Sequence, residues 1–246
     1  MFNQRNNGPF GGQRNNNKFG NYHYQTLAYG SPTTSAQASG LVSKVMALLA
    51  TSFLVATVGA FVGLSLGLFS YIFVIIAGFV VLLLLYAMIN KQGINLFLLF
   101  LFTFIEGLGL GPLVNVYLGS GNGSILGQAF LITAVTAIGL AVYSWTTKRS
   151  FARIGDYLFV GLILLLVTSL IGLIFQSPIF SLIIAFFGVA IFCGYILYYV
   201  QRAKTMADTL PNAIGLTVSL FLALMNLFLF ILEILSIFQG GGRGRR

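Results

Sequence analysis

Charge is what this sequence has least of. Only 7% of its 246 residues are charged, and four acids stand against thirteen Lys and Arg. A soluble domain carries about 25% charged residues to cover its surface, so a soluble globular domain is excluded. Cysteine is reduced to Cys193 and histidine to His23. A lone cysteine in an apolar run rules out a disulfide framework and a Cys-based zinc site. One histidine in a polar tail leaves Ser-His-Asp and Cys-His catalysis, and His/Cys metal centres, without their parts. Neither an enzyme, nor a cofactor, nor a metal site is expected. The net charge of +9 does not point to nucleic acid, because the basic residues flank apolar runs, where membrane orientation accounts for them.

What is present is apolar sequence, 58% of the chain. A membrane-crossing helix needs roughly 20 mostly apolar residues for a hydrocarbon core of about 30 Å. Seven such runs are read at roughly 46–68, 70–89, 95–117, 125–145, 157–175, 179–199 and 214–237. The expected fold is therefore all-α and polytopic, with seven transmembrane helices over 41–238. Residues 1–40, rich in Asn, Gly and Gln, show no periodicity and are read as a disordered cytoplasmic tail. They lack the apolar segment of a signal peptide. Residues 239–246 form a short Gly/Arg tail.

The loops set an orientation. Arg5, Arg14, Lys18 and Lys44 precede or open span one, and Lys91 follows span two. Lys148, Arg149 and Arg153 follow span four, and Arg202 and Lys204 follow span six. The loops after spans one, three and five have no Lys or Arg. The positive-inside bias places the N-terminus in the cytoplasm and the protein in a plasma membrane, such as a bacterial inner membrane. Arg243, Arg245 and Arg246 resist this arrangement, since seven full spans put them outside. A short terminal tail can be carried across, and seven spans are preferred to a re-entrant last segment.

Charges inside spans are costly and mark functional candidates. Glu106 lies mid-span in FTFIEGLGLGPLVN. Gly107, Gly109, Gly111 and Pro112 follow it, and this composition predicts a helix break, because glycine loosens backbone and proline removes a donor. Unwound backbone at membrane depth is tolerated only against protein or a water-filled cavity. Glu106 is thus a candidate for an ion or proton pathway, or else a protonated carboxyl hydrogen-bonded to a neighbouring helix. Asn226, midway along span seven, is its candidate partner or simple interhelical glue. Glu233, near the far end of span seven, reads as a carboxylate reaching the headgroups. Gly59, Gly63 and Gly67 form a small-residue stripe for close packing in span one. GSGNGS at 119–124 lacks a lysine and a preceding strand, and is a turn.

Four blocks complete the reading: FTFIEGLGLGPLVNVYL, AFLITAVTAIGLAVYSWTTKRSFARIGDYL, IFCGYILYYVQ and LTVSLFLALMNLFLFILEIL. In that order they resemble the Bax inhibitor 1 family, in particular its YccA-like bacterial branch. The blocks from Thr147 to Gly155 and from Val218 to Phe228 are the most specific. The resemblance implies six helices around a central seventh. It also implies either regulation of a membrane-anchored AAA protease (FtsH-like), hence of membrane-protein turnover, or a pH-sensitive calcium or proton leak. In the leaking members an aspartate pair on spans six and seven is taken as the pH sensor. Those places are held here by Tyr199 and Ala223, so a coupled carboxylate pair is missing. The expected role is accordingly protease regulation, with a leak channel built on Glu106 as the alternative. The expected partners are the lipid bilayer, the protease, and calcium or protons.

Overall fold

The computed structural model describes residues 35–175 and 177–240, all but short turns of it in seven helices. These are α1 (Ser35–Gly63), α2 (Leu68–Ala87), α3 (Ile94–Gly119), α4 (Gly123–Thr146), α5 (Ile154–Phe175), α6 (Pro178–Ala203) and α7 (Leu210–Gly240). The first begins at Ser35, inside the segment read as tail. The expectation of disorder for residues 1–34, and the reading of residues 241–246 as a tail, lie outside the described residues. Six helices have apolar stretches long enough to cross a membrane, while that of α2, Ile72–Ala87, is shorter. At 20 residues the whole of α2 still measures about 30 Å.

Short connections force successive helices to run antiparallel. The turns at 88–93, 147–153 and 204–209 gather at one end with every described Lys and Arg, here called the basic end. The turns at 64–67 and 120–122, and the junction of α5 with α6, form the opposite, far end. Glycine is required at two of these turns. Gly93 (φ 82°) and Gly121 (φ 71°) adopt the left-handed backbone that side-chain-bearing residues avoid.

Helix α7 is the axis. Asn212 to Val218 are buried without interruption, which a helix achieves only when it is covered on all sides. It contacts α1, α3, α4 and α6 directly, while α2 packs on α3 and α5 on α6. Three apolar clusters share it, one of them joining Ala213, Leu216 and Leu220 to Leu41 and Val45 of α1. Ile214, Val218, Phe221 and Met225 meet α1, α2 and α3 through residues such as Ala56, Leu85 and Phe102. Ala223, Leu227, Ile231 and Leu232 meet α4, α5 and α6 through residues such as Ala129, Leu165 and Phe192. Phe221, fully buried, stacks obliquely on Phe53 at 5.1 Å and meets the edge of Phe102 at 6.3 Å. The outer faces stay apolar: Phe73, Phe79, Phe130, Phe159 and Leu170 are among many large exposed hydrophobics. Only lipid suits such a surface.

Candidate functional site

Helix α3 runs unbroken from Ile94 to Gly119, through Gly107, Gly109, Gly111 and Pro112. The helix break expected there is absent, and the glycines serve packing. A Cβ on Gly107 would fall 2.0 Å from the Ala56 carbonyl oxygen, and one on Gly111 2.2 Å from the Gly63 carbonyl carbon. From the other side, Cβ atoms on Gly59 and Gly63 would sit 2.2 and 2.4 Å from the Phe104 and Leu108 oxygens. The two helices therefore touch backbone to backbone, the small-residue contact of membrane helices. Pro112 fits the same arrangement. It deprives the Leu108 carbonyl of its helical donor, and that carbonyl lies against the Gly63 Cα, where a weak C–H···O contact offsets part of the loss. Gly67, third in the expected stripe, faces open space. Gly109 meets only Val74 at an ordinary 3.6 Å.

Glu106 sits at the α2–α3 contact near the middle of both helices, partly buried. Its Oε1 lies 3.2 Å from where a Gly78 Cβ would be. Among the described residues no hydrogen bond reaches its carboxyl group, so the reading of a carboxyl bonded to a neighbouring helix is not realised. Asn226 does not join it: its Nδ2 donates to the Leu222 carbonyl of its own helix at 2.8 Å. A second orphan in the membrane interior is Ser52, whose buried Oγ has no partner among the described residues.

The places of the absent aspartate pair are packed shut. Ala223 is 2% exposed and belongs to the α4–α7 cluster on which Tyr199 packs. Tyr199 stacks on Tyr195 at 5.6 Å and meets Tyr198 edge-on at 5.3 Å.

The polar cavity lies elsewhere, at the far end between α3, α6 and α7. It is open to the surface, measures about 520 Å³ and is lined by Leu113, Tyr117, Ser177, Ser181, Glu233 and Ser236 among others. Ser181 of α6 and Glu233 of α7 line it together. Ser236 donates its one proton to the Leu232 carbonyl at 2.6 Å, so the hydrogen bond joining it to Tyr117 is donated by the phenol. Sequence reasoning takes Glu233 for a headgroup contact and misses the hydroxyls around it. The only local signal is spacing: Ser177 and Ser181 at i, i+4, and Glu233 and Ser236 at i, i+3, share helix faces.

At the basic end, polar side chains lock the loops. Gln201 Nε2 donates to the Arg149 carbonyl at 2.6 Å while its Oε1 accepts from the Phe151 amide. Lys204 Nζ caps α4 by donating to the Ser144 and Trp145 carbonyls at 2.8 and 2.5 Å, a cation at a helix C-terminus. Arg202 donates to the Tyr198 hydroxyl at 2.6 Å. Lys44 and Asp208 pair α1 with the α6–α7 turn at 2.9 Å. No cluster of three potential metal ligands exists among the described residues.

An all-helical bundle with a buried polar-bearing axis, an apolar outer face and its described Lys and Arg confined to one end is a multi-pass integral membrane protein. The family model described as "Inhibitor of apoptosis-promoting Bax1" matches residues 38–240. An uncharacterised protein of Campylobacter jejuni is 37% identical over 220 residues, covering 84% of this chain and 92% of its own. An uncharacterised protein of Helicobacter pylori (strain J99) is 36% identical, covering 77% and 83%. Mouse "Protein lifeguard 4" is 32% identical over 60% of each chain. The chain belongs to the Bax inhibitor 1 family.

Proposed function

We propose that this protein is a non-enzymatic, non-conducting regulator of a membrane-anchored AAA protease of the FtsH type, acting in membrane-protein turnover. One observation carries the reading. Where the conducting relatives are taken to hold an acid pair, this chain packs Ala223 and a stack of Tyr195 and Tyr199, which leaves no titratable pair to gate a pore. Residues 1–34, polar and N-terminal, supply a segment that such a protease can engage, and the positive-inside bias of the basic end supports a cytoplasmic location for them.

A leak pathway is the second reading, favoured by a mid-membrane Glu106 with no hydrogen-bond partner among the described residues and by a cavity on the far side that Glu233 lines. Protein purified and reconstituted in liposomes separates the two when calcium and proton flux are measured at pH 6 and pH 8. The regulator reading expects flux at the lipid background at both values, together with altered half-lives of the protease's membrane substrates in cells lacking residues 1–34. Robust calcium flux that Glu106→Gln abolishes would replace the regulator reading by the leak. Flux that survives Glu106→Gln would defeat both the regulator and this site.

A further inference from the structure

The far-end cavity sits where three helices begin or stop. Tyr117 is two residues from the end of α3, Ser177 immediately precedes α6, and Ser236 is four residues from the end of α7. With 26 residues, α3 measures about 39 Å. The hydrocarbon core measures about 30 Å, so the last turn of α3 stands among lipid headgroups. Glu233, the one charged residue in the lining, is about 10 Å from the end of α7. Two of the walls, α3 and α6, scarcely touch each other, and the cavity is open to the surface.

Hydrogen bonds already made in the cavity decide what it can take. Ser236 donates its proton to the Leu232 carbonyl, and Tyr117 donates its proton to Ser236. Both protons are committed, so the pair has only lone pairs left to offer. A carboxylate at Glu233 likewise only accepts. Ser177 and Ser181 add hydroxyls that serve either way. Such a lining, with no Lys or Arg in it, asks for a cation that carries several N–H donors. It offers a phosphate no countercharge. A divalent metal asks for six or more oxygens with several carboxylates among them, and here there is one carboxylate.

We propose that the cavity is a headgroup site for a lipid that ends in a primary ammonium, phosphatidylethanolamine of the far leaflet. The three N–H donors of the ammonium meet Glu233, Tyr117 and Ser236, and the carboxylate supplies the opposite charge. Leu113, Leu229 and Ile237 give apolar walls to the glycerol and the first methylenes. A volume of about 520 Å³ suits a small-molecule site, for which about 300–1,000 Å³ is usual. Phosphatidylcholine has the same net charge, but its trimethylated ammonium has no N–H to donate. The site therefore discriminates between the two lipids by hydrogen bonding and not by charge alone. The inference is independent of whether the protein regulates or conducts.

The test is native mass spectrometry of the full chain, purified in detergent and mixed with equal amounts of the two lipids, matched in acyl chains. The first lipid retained is expected to be phosphatidylethanolamine with about tenfold preference, as charge-assisted hydrogen bonds supply. Glu233→Gln should bring the ratio to about one, and Tyr117→Phe, which removes one acceptor, should lower it several-fold. Only monodisperse fractions with unchanged thermal midpoints are compared. A second reporter leaves the acid in place: Ser177→Cys in a Cys193→Ser background, alkylated with N-ethylmaleimide. Phosphatidylethanolamine should slow that alkylation several-fold, and phosphatidylcholine should not. Equal retention of the two lipids by the parent, or a preference that survives Glu233→Gln, overturns the proposal. Protection of the cysteine by free ethanolamine as strong as that by the lipid overturns the lipid source in favour of a soluble amine. Protection by calcium and not by phosphatidylethanolamine overturns it in favour of a metal site.

Discussion

Ser52 and Glu106 are two polar groups inside the bundle that have no hydrogen-bond partner among the described residues, and each makes a prediction. Burying a hydroxyl without a hydrogen bond costs about 1–3 kcal/mol. Ser52→Ala removes that cost and only one atom of packing, so its thermal midpoint in detergent is expected to equal or exceed the parent's. A lower midpoint would reveal a partner for the hydroxyl. A Glu106 bonded to a neighbouring helix would orphan that neighbour when replaced, and Glu106→Leu would lose stability. Since no group among the described residues bonds to it, Glu106→Gln and Glu106→Leu should both keep the folded yield and the midpoint. Gly78→Leu, which drives a side chain into the carboxyl, should lower both. The acid is legible in the sequence because charge is rare at mid-span. Its surroundings are not, because the residue it faces, Gly78, is distant in sequence and carries no chemical signal.

Between elements, the α1–α3 contact is the sharpest constraint. A Cβ at Gly59, Gly63 or Gly107 would come within 2.0–2.4 Å of the facing backbone, which leaves no room for a methyl group. Each Gly→Ala change there is expected to destabilise by about 1–3 kcal/mol through overpacking, read as a lower midpoint, and Gly→Leu should abolish monodisperse protein. Gly67→Ala and Gly139→Ala, which face open space, should pass unnoticed. Equal effects at all five positions would show that helix propensity, not contact, governs them. The glycine-rich run after Glu106 illustrates why local composition misleads. Glycine and proline weaken an isolated helix, yet in apolar surroundings every backbone group must be bonded within the segment, and close packing on α1 holds α3 straight. The α4–α5 loop depends likewise on a distant side chain. Gln201→Ala strips acceptor and donor from Phe151 and Arg149, so trypsin should cut detergent-solubilised protein at Lys148 and Arg149 several times faster than the parent. An unchanged rate would count against the clamp.

For the whole molecule, orientation and the role of the N-terminal segment are open to direct measurement. In a Cys193→Ser background on intact cells, single cysteines at Ser120 and Ser177 are expected to react with a membrane-impermeant reagent, and one at Ser150 is not. Labelling of Ser150 would invert the arrangement. Removing residues 1–34 should leave the thermal midpoint unchanged. Removing residues 1–45 should lower it, because Leu41 and Val45, 0% and 3% exposed, pack with Met206, Ala213 and Leu216, and because Lys44 holds Asp208. Equal midpoints for the two deletions would mean that the first turns of α1 contribute nothing to the bundle.

Composition and periodicity by themselves determined that the chain is an all-α membrane protein, how many helices it has, and which end of each carries charge. Those properties follow from the short-range requirements of a bilayer: an apolar length sufficient to cross and an internally bonded backbone. Tertiary structure alone decided that Gly107 to Pro112 build a contact and not a break, and that Asn226 bonds within its own helix and not to Glu106. It also gathered Tyr117, Ser181, Glu233 and Ser236, from three helices, into one cavity. In an apolar solvent nearly every face of a helix is hydrophobic, so the pattern that tells buried from exposed in a water-soluble helix is erased, and pairing is left to shape and to the few polar atoms that must find one another.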